Sequence, residues 1–158
     1  MKRFISVSNT TASNDFALLI ARIGIALLML THGWPKLMQF FSGEPVQFIP
    51  VMGMSASMTL GLAVFAEVIC SIFILIGFAT RFATIPLIIT MLTAAFMIHA
   101  ADPFKIQESS LMYLLAYLVL LFAGSGKYSV DFLLNKTSLK DTYKGKKVLE
   151  PAMVLNKK

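Results

Sequence analysis

Apolar residues run along this chain in four unbroken blocks, Phe16 to Trp34, Ala56 to Phe78, Phe82 to Ala101 and Ser110 to Ala123, with the polar residues gathered between and beyond them. A bilayer core about 30 Å thick takes roughly 17 to 25 helical residues to cross. The first three blocks meet that length. The fourth meets it only when its first turn begins near Gln107 or Glu108. The blocks are continuous, with no period-two alternation, so they predict membrane-spanning helices and not the strands of a barrel. The expected fold is all-α: an integral membrane four-helix up-down bundle, with a long outer segment from Pro35 to Ser55 between helices 1 and 2. A tight inner turn is expected at Thr80-Arg81 and a short outer loop at Asp102-Pro103. Phe40, Phe41, Phe48, Ile49, Pro50 and Val51 make the outer segment too apolar for a freely solvated loop. It is expected in the membrane interface or folded back on the bundle as a lid.

Composition strengthens this picture. Hydrophobic residues make up 57% of the 158, charged residues only 14%, and mean hydropathy is +0.76. Soluble domains carry roughly a quarter charged residues. Met1-Lys2-Arg3 is basic like a signal peptide, but Ser6 to Asp15 is polar and the first apolar block carries Arg22, so that block reads as a retained span. The single cysteine, Cys70, rules out chemistry by a cysteine pair within the chain and is expected as a small apolar filler.

Lysine and arginine set the expected orientation. Lys127, Lys136, Lys140, Lys144, Lys146, Lys147, Lys157 and Lys158 follow the fourth block, and Lys2, Arg3 and Arg81 share their side. Lys36 and Lys105 lie opposite. Both termini are therefore expected in the cytoplasm, in a multi-pass membrane protein. Residues 1–15 form an N-terminal segment, 16–132 the membrane domain and 133–158 a basic tail. The lipid bilayer is the first partner. The tail suits anionic lipid or a soluble acidic or redox partner, a homo-oligomer is a further expectation, and nucleic acid is not among the expected partners.

Ionisable residues inside a span are costly and point to function. Arg22 lies roughly 9 Å into helix 1 at 1.5 Å per residue, and Glu67 lies near the middle of helix 2. Entering from opposite sides, they are expected within reach of each other as an ion pair at the edge of a polar cavity. His32, His99 and Glu108 share the outer layer. On a helical wheel Arg22, Met29, His32, Gly33 and Lys36 fall in one stripe roughly 100° wide, the width of a buried face. Such a layer is suited to hydrogen-bonding a quinone head group, to ligating a metal through His32, His99 and Glu108, or to holding a haem between two histidines. Tyr113 and Tyr117 share one face of helix 4, with packing as the expected role. Trp34 is expected as an interfacial anchor. Gly124-Ser125-Gly126-Lys127-Tyr128-Ser129-Val130-Asp131 reads as a glycine stop followed by a capped turn along the membrane surface.

These residues also form a pattern. Arg22-x-Gly24 and His32-Gly33-x-x-Lys36 on helix 1, Glu67 with Ile76-Gly77 and Arg81, His99, Glu108, and Gly124-x-Gly126-x-x-Ser129-x-Asp131 together resemble the DoxX family of small bacterial membrane proteins, from about Ala21 to Phe132. The resemblance implies a redox-associated membrane subunit, in a family linked to thiosulfate:quinone oxidoreductase, to quinone or catechol stress and to complexes supporting oxidative-stress enzymes. Oxidoreductase activity would then need a partner subunit. The cofactor-binding set would be Arg22, His32, Lys36, Glu67, His99 and Glu108, with Glu67 and Arg22 as floor and His32, His99 and Glu108 at the mouth. A quinone is the first cofactor candidate, and haem or a metal the alternatives. The other reading is a non-enzymatic scaffold or assembly factor that recruits a cytoplasmic partner through the tail.

Overall fold

The structure, a computed structural model, describes residues 11–135. The lysine-rich tail on which the partner and scaffold expectations rest lies outside them. Among the described residues there are helices and no strands. Four helices are long and apolar enough to cross a membrane: α1 (Thr11–Phe41), α2 (Ala56–Ile76), α3 (Thr80–Ile98) and α4 (Phe104–Ala123). Each packs against the next, and α4 closes the ring against α1. The axis is filled by Ala26, Met29, Ile74, Leu87, Tyr117 and Leu120, all at most 2% exposed. Phe82, Phe96, Leu115 and Phe122 point away from it, as expected where lipid is the outer solvent.

Two boundaries depart from the hydropathy reading. Helix 1 does not stop at Trp34 but runs through Pro35 to Phe41. Proline removes one backbone donor, and tertiary contacts offset that loss. Lys36 pairs with Glu67, Leu37 packs on Leu60, Val64 and Val68, and the Phe40 ring lies over the space that Gly61 leaves open. Helix 4 starts at Phe104, directly after Pro103, because proline's fixed φ suits a helix start and its missing N–H costs nothing there. That earlier start supplies the length the apolar block lacked.

Two stretches of π-helix were not anticipated: Phe65–Cys70 within α2 and Ala94–Ile98 at the end of α3. The segment after α1 folds back as the lid alternative expects. Val46 and Phe48 pack on the Leu60–Val64–Val68 cluster, and Val51 is 4% exposed, its N–H donating to Thr59 Oγ1 at 3.4 Å.

The end of the bundle where α2 turns into α3, the inner end if the lysine rule holds, is held by residues from far along the chain. Gly77 ends α2 with φ +74°, and a Cβ there would collide with the Arg22 guanidinium and the Ser129 side chain. Arg22, 2% exposed, donates to the Ser125 and Tyr128 carbonyls at 2.7 and 2.6 Å. The Asp131 carboxylate accepts from the Ala79 and Thr80 N–H groups at 2.7 and 3.2 Å, capping α3, and its own N–H returns to the Gly77 carbonyl at 3.0 Å. The glycine stop after α4 is present at Gly124, φ +80°. Residues 125–131 form a clasp over the α2–α3 turn in place of a simple surface turn.

The pairing of Arg22 with Glu67 is thereby corrected. Gly33 is the α1 residue that abuts Glu67, and it lies eleven residues, or roughly 16 Å, beyond Arg22 along the helix. Arg22 is a structural member of the inner clasp. Arg22→Met would strand two partly buried carbonyls, and should lower unfolding free energy by roughly 2–5 kcal/mol. Thermal denaturation in detergent checks this; a midpoint within 2 °C (about) of wild type would show that the clasp contributes little.

Candidate functional site

The carboxylate in the middle of α2 has a different partner. Glu67, 2% exposed, pairs with Lys36, whose side chain is 30% exposed. Glu67 sits in the π-helical stretch of α2, and Gly33 lets α1 come close enough for the pair to form: a Cβ on Gly33 would lie 2.8 Å from Val68 Cγ2 and 3.0 Å from the Glu67 carbonyl carbon. Lys36 Nζ also lies 5.9 Å from the Phe48 ring centroid, at the outer limit of a cation–π contact. The second oxygen, Glu67 Oε2, is buried without a hydrogen-bond partner. A buried ion pair recovers its desolvation cost only when its remaining polar atoms are satisfied, so Oε2 is positioned to take a further donor.

Two cavities meet at this pair. One, of about 260 Å³, is lined by Lys36, Glu67, His32, His99, Ser110 and Tyr113, with Met29, Met91, Ala94, Ile106 and Ser109. The other, of about 250 Å³, is almost wholly apolar: Leu62, Ala63, Ile89, Thr93 and Ile98 form its walls and Phe48, Val51, Met52 and Met54 its roof. Lys36, Glu67 and Ala94 belong to both. Ala94 opens the π-helical stretch of α3, so each of the two stretches lies beside the cavities. An extra residue per turn displaces side chains from their α-helical register, and such bulges are frequent at functional sites.

Both histidines reach this layer. The His32 ring meets Tyr113 edge to face, centroids 5.6 Å apart at 89°. Tyr113 in turn stacks on Tyr117 at 6.3 Å, whose buried hydroxyl lies beside that of Ser71. His99 follows the π-helical end of α3, and its Nδ1 lies 2.7 Å from Asp102 Oδ2. Gln107 holds that turn by donating to the His99 and Asp102 carbonyls at 2.8 and 3.1 Å.

Of the residues singled out from the sequence, His32, Lys36, Glu67 and His99 converge on one cavity. Arg22 and Glu108 do not line it. Glu108 is exposed in the first turns of α4. It precedes Ser110, which faces inward, by two residues and so points about 200° away from it. Among the described residues no three His, Cys, Asp or Glu side chains gather to hold a metal ion, so the His32–His99–Glu108 metal set is not assembled. Tyr113 and Asp102 were missed. Tyr113 carried a signal, since it falls three residues, less than one turn, after Ser110 and faces the same way; Asp102 read only as part of a loop. Cys70 is a buried core residue, 3% exposed.

The fold and site define a four-span helical membrane protein with a buried ion pair between a polar and an apolar cavity. The DoxX family model matches residues 17–100, a stretch that contains His32, Lys36, Glu67 and His99, and the chain belongs to the DoxX family. It is 33% identical over 128 residues to the inner membrane protein YqjF of Escherichia coli (strain K12), covering 77% of this chain and 95% of that protein. It is also 28% identical over 132 residues to an uncharacterized protein of Haemophilus influenzae, covering 79% of this chain and 96% of that one. No solved structure matches it significantly. Together with the four apolar helices, the inner-membrane relative makes this a multi-pass bacterial inner membrane protein.

Lys36→Met leaves Glu67 as an uncompensated buried charge and should cost about 3–5 kcal/mol of stability, most of it recovered in the double variant Lys36→Met/Glu67→Gln. Denaturation of the four proteins of this cycle in one detergent measures the coupling. Additive losses would mean that the two side chains act separately.

Proposed function

We propose that this protein is a redox-associated membrane subunit that binds a quinone, or a related small aromatic carbonyl compound, in the outer half of its bundle. The observation that carries this reading is the placement of the Lys36–Glu67 pair at the seam of two cavities of opposite character. A quinone has the matching division: a planar head with two carbonyl acceptors, and an apolar substituent. The Lys36 ammonium is a donor for one carbonyl, and Tyr113 and His32 are donors on the other side of the polar cavity. The apolar cavity between α2 and α3, roofed by residues 48–54, suits the rest of the molecule.

Reducing a quinone to a quinol takes two electrons and two protons. Glu67 and the histidines are the proton-exchanging groups beside the head. The electrons would come from a partner subunit, consistent with a single cysteine and a site built for binding and proton exchange. With both termini in the cytoplasm, as the lysine distribution favours, the cavity opens toward the periplasm.

Binding of a short-chain ubiquinone or menaquinone analogue to the protein in lipid nanodiscs tests this reading. Wild type should bind saturably, and Glu67→Gln and Lys36→Met should each weaken binding at least about 10-fold, the loss of one charge-assisted hydrogen bond. Equal affinities in all three proteins would contradict it.

A further inference from the structure

Glu67 lies deep in the membrane, and a carboxyl group there exchanges its proton only along a path of polar groups. Behind Glu67, toward the inner end, the path closes. The Ser71 and Tyr117 hydroxyls lie side by side there. Beyond them Ala26, Ile74, Leu87 and Leu120, at most 2% exposed, fill the axis. In front of Glu67 it opens. The polar cavity runs from Glu67 to His99. The His99 side chain is 35% exposed and bonded through Nδ1 to Asp102, itself 44% exposed.

We infer that His99 and Asp102 form a proton gate, the route by which Glu67 exchanges protons with solvent at the outer end of the bundle. With Asp102 holding Nδ1, the other ring nitrogen, Nε2, is free to serve the cavity. A proton leaving Glu67 crosses a cavity water to His99 Nε2, forming the imidazolium. The imidazolium releases its Nδ1 proton to the Asp102 carboxylate, and Asp102 passes it to solvent. The O–H bond of Glu67 is broken, one N–H bond forms as the other breaks, and the ring then returns to its first tautomer. The reverse sequence delivers a proton inward.

The groups facing Glu67 are Lys36 and His32 from α1, Tyr113 and Tyr117 from α4, His99 beyond α3, and Ser71 on its own helix. Lys36 is its ion-pair partner, and the Tyr113 and Tyr117 rings stack on each other inside the bundle. His32 meets Tyr113 through its ring and has no carboxylate partner among the described contacts. His99 alone combines cavity access with a solvent-exposed carboxylate. The exchange would therefore be one-sided, confining proton release and uptake to the face that carries the lid.

The gate matters to turnover only if the quinone reading holds, yet the proton path can be measured without quinone, so the two fail separately. The test is time-resolved infrared spectroscopy of the full chain in lipid nanodiscs after a light-triggered pH jump, with the Glu67 carboxyl band assigned by its loss in Glu67→Gln. Wild type should show a band that responds to the jump. His99→Ala and Asp102→Asn should slow that response at least about 10-fold, and added imidazole should restore the rate in His99→Ala, which a merely misfolded variant would not show. Unchanged rates in both variants, no rescue by imidazole, or no pH-responsive Glu67 band in wild type would each overturn the gate.

Discussion

A carboxylate placed near the middle of a membrane must be paired, and the rest of this structure follows from how that demand is met. Glu67 is 2% exposed and is met by Lys36. That solution requires α1 to continue past Pro35, past the point where its apolar block ends, so that a lysine can return into the bundle. It requires a glycine at position 33, because only a residue without a Cβ lets α1 approach the Glu67 backbone. A roof over the pair is also needed to keep Lys36 from solvating fully, and Phe48 and Val51 of the folded-back segment supply it. The desolvation of two charges is offset by their attraction only in such a well-fitted arrangement.

The two ends of the bundle have separate work. At the inner end Arg22 and Asp131 satisfy backbone groups: Arg22 answers two carbonyls of the loop after α4, and Asp131 answers two N–H groups at the start of α3. Both charged groups bond backbone from distant parts of the chain, so this end is a fastening. At the outer end Glu67 Oε2 remains without a partner beside cavities of about 260 and 250 Å³. A buried carboxylate oxygen left open beside unfilled space is what a binding site contributes.

The four spans were legible because hydropathy alone decides which segments leave water. The layer shared by His32 and His99 was legible too, since it follows from up-down order, and the helical wheel put Lys36 on the same inward stripe as His32; Glu108, expected with the histidines, is exposed instead. The partner of Glu67 was not legible. Lys36 stood both on the inward stripe of helix 1 and in the outer segment that starts at Pro35, and Leu37 and Phe40 carry the helix on through tertiary contacts. Arg22 was the one Lys or Arg within the apolar blocks, and depth along the axis was too coarse to exclude it as the partner. The π-helical stretches are likewise set by packing and carry no sequence period. Asp131 caps a helix that begins 51 residues earlier in the chain, a relation that local reading of a glycine-rich turn cannot contain.

The central claim is that the outer cavities around Lys36–Glu67 form the ligand site and the inner clasp does not. Photolabelling in native membranes with an azido-quinone, followed by peptide mapping, tests it most directly. The account predicts adducts confined to residues 29–36, 48–54, 62–67, 89–99 and 106–113, suppressed by excess unlabelled quinone. Competable adducts at residues 15–22 or 124–131, or none that excess quinone suppresses, would contradict it.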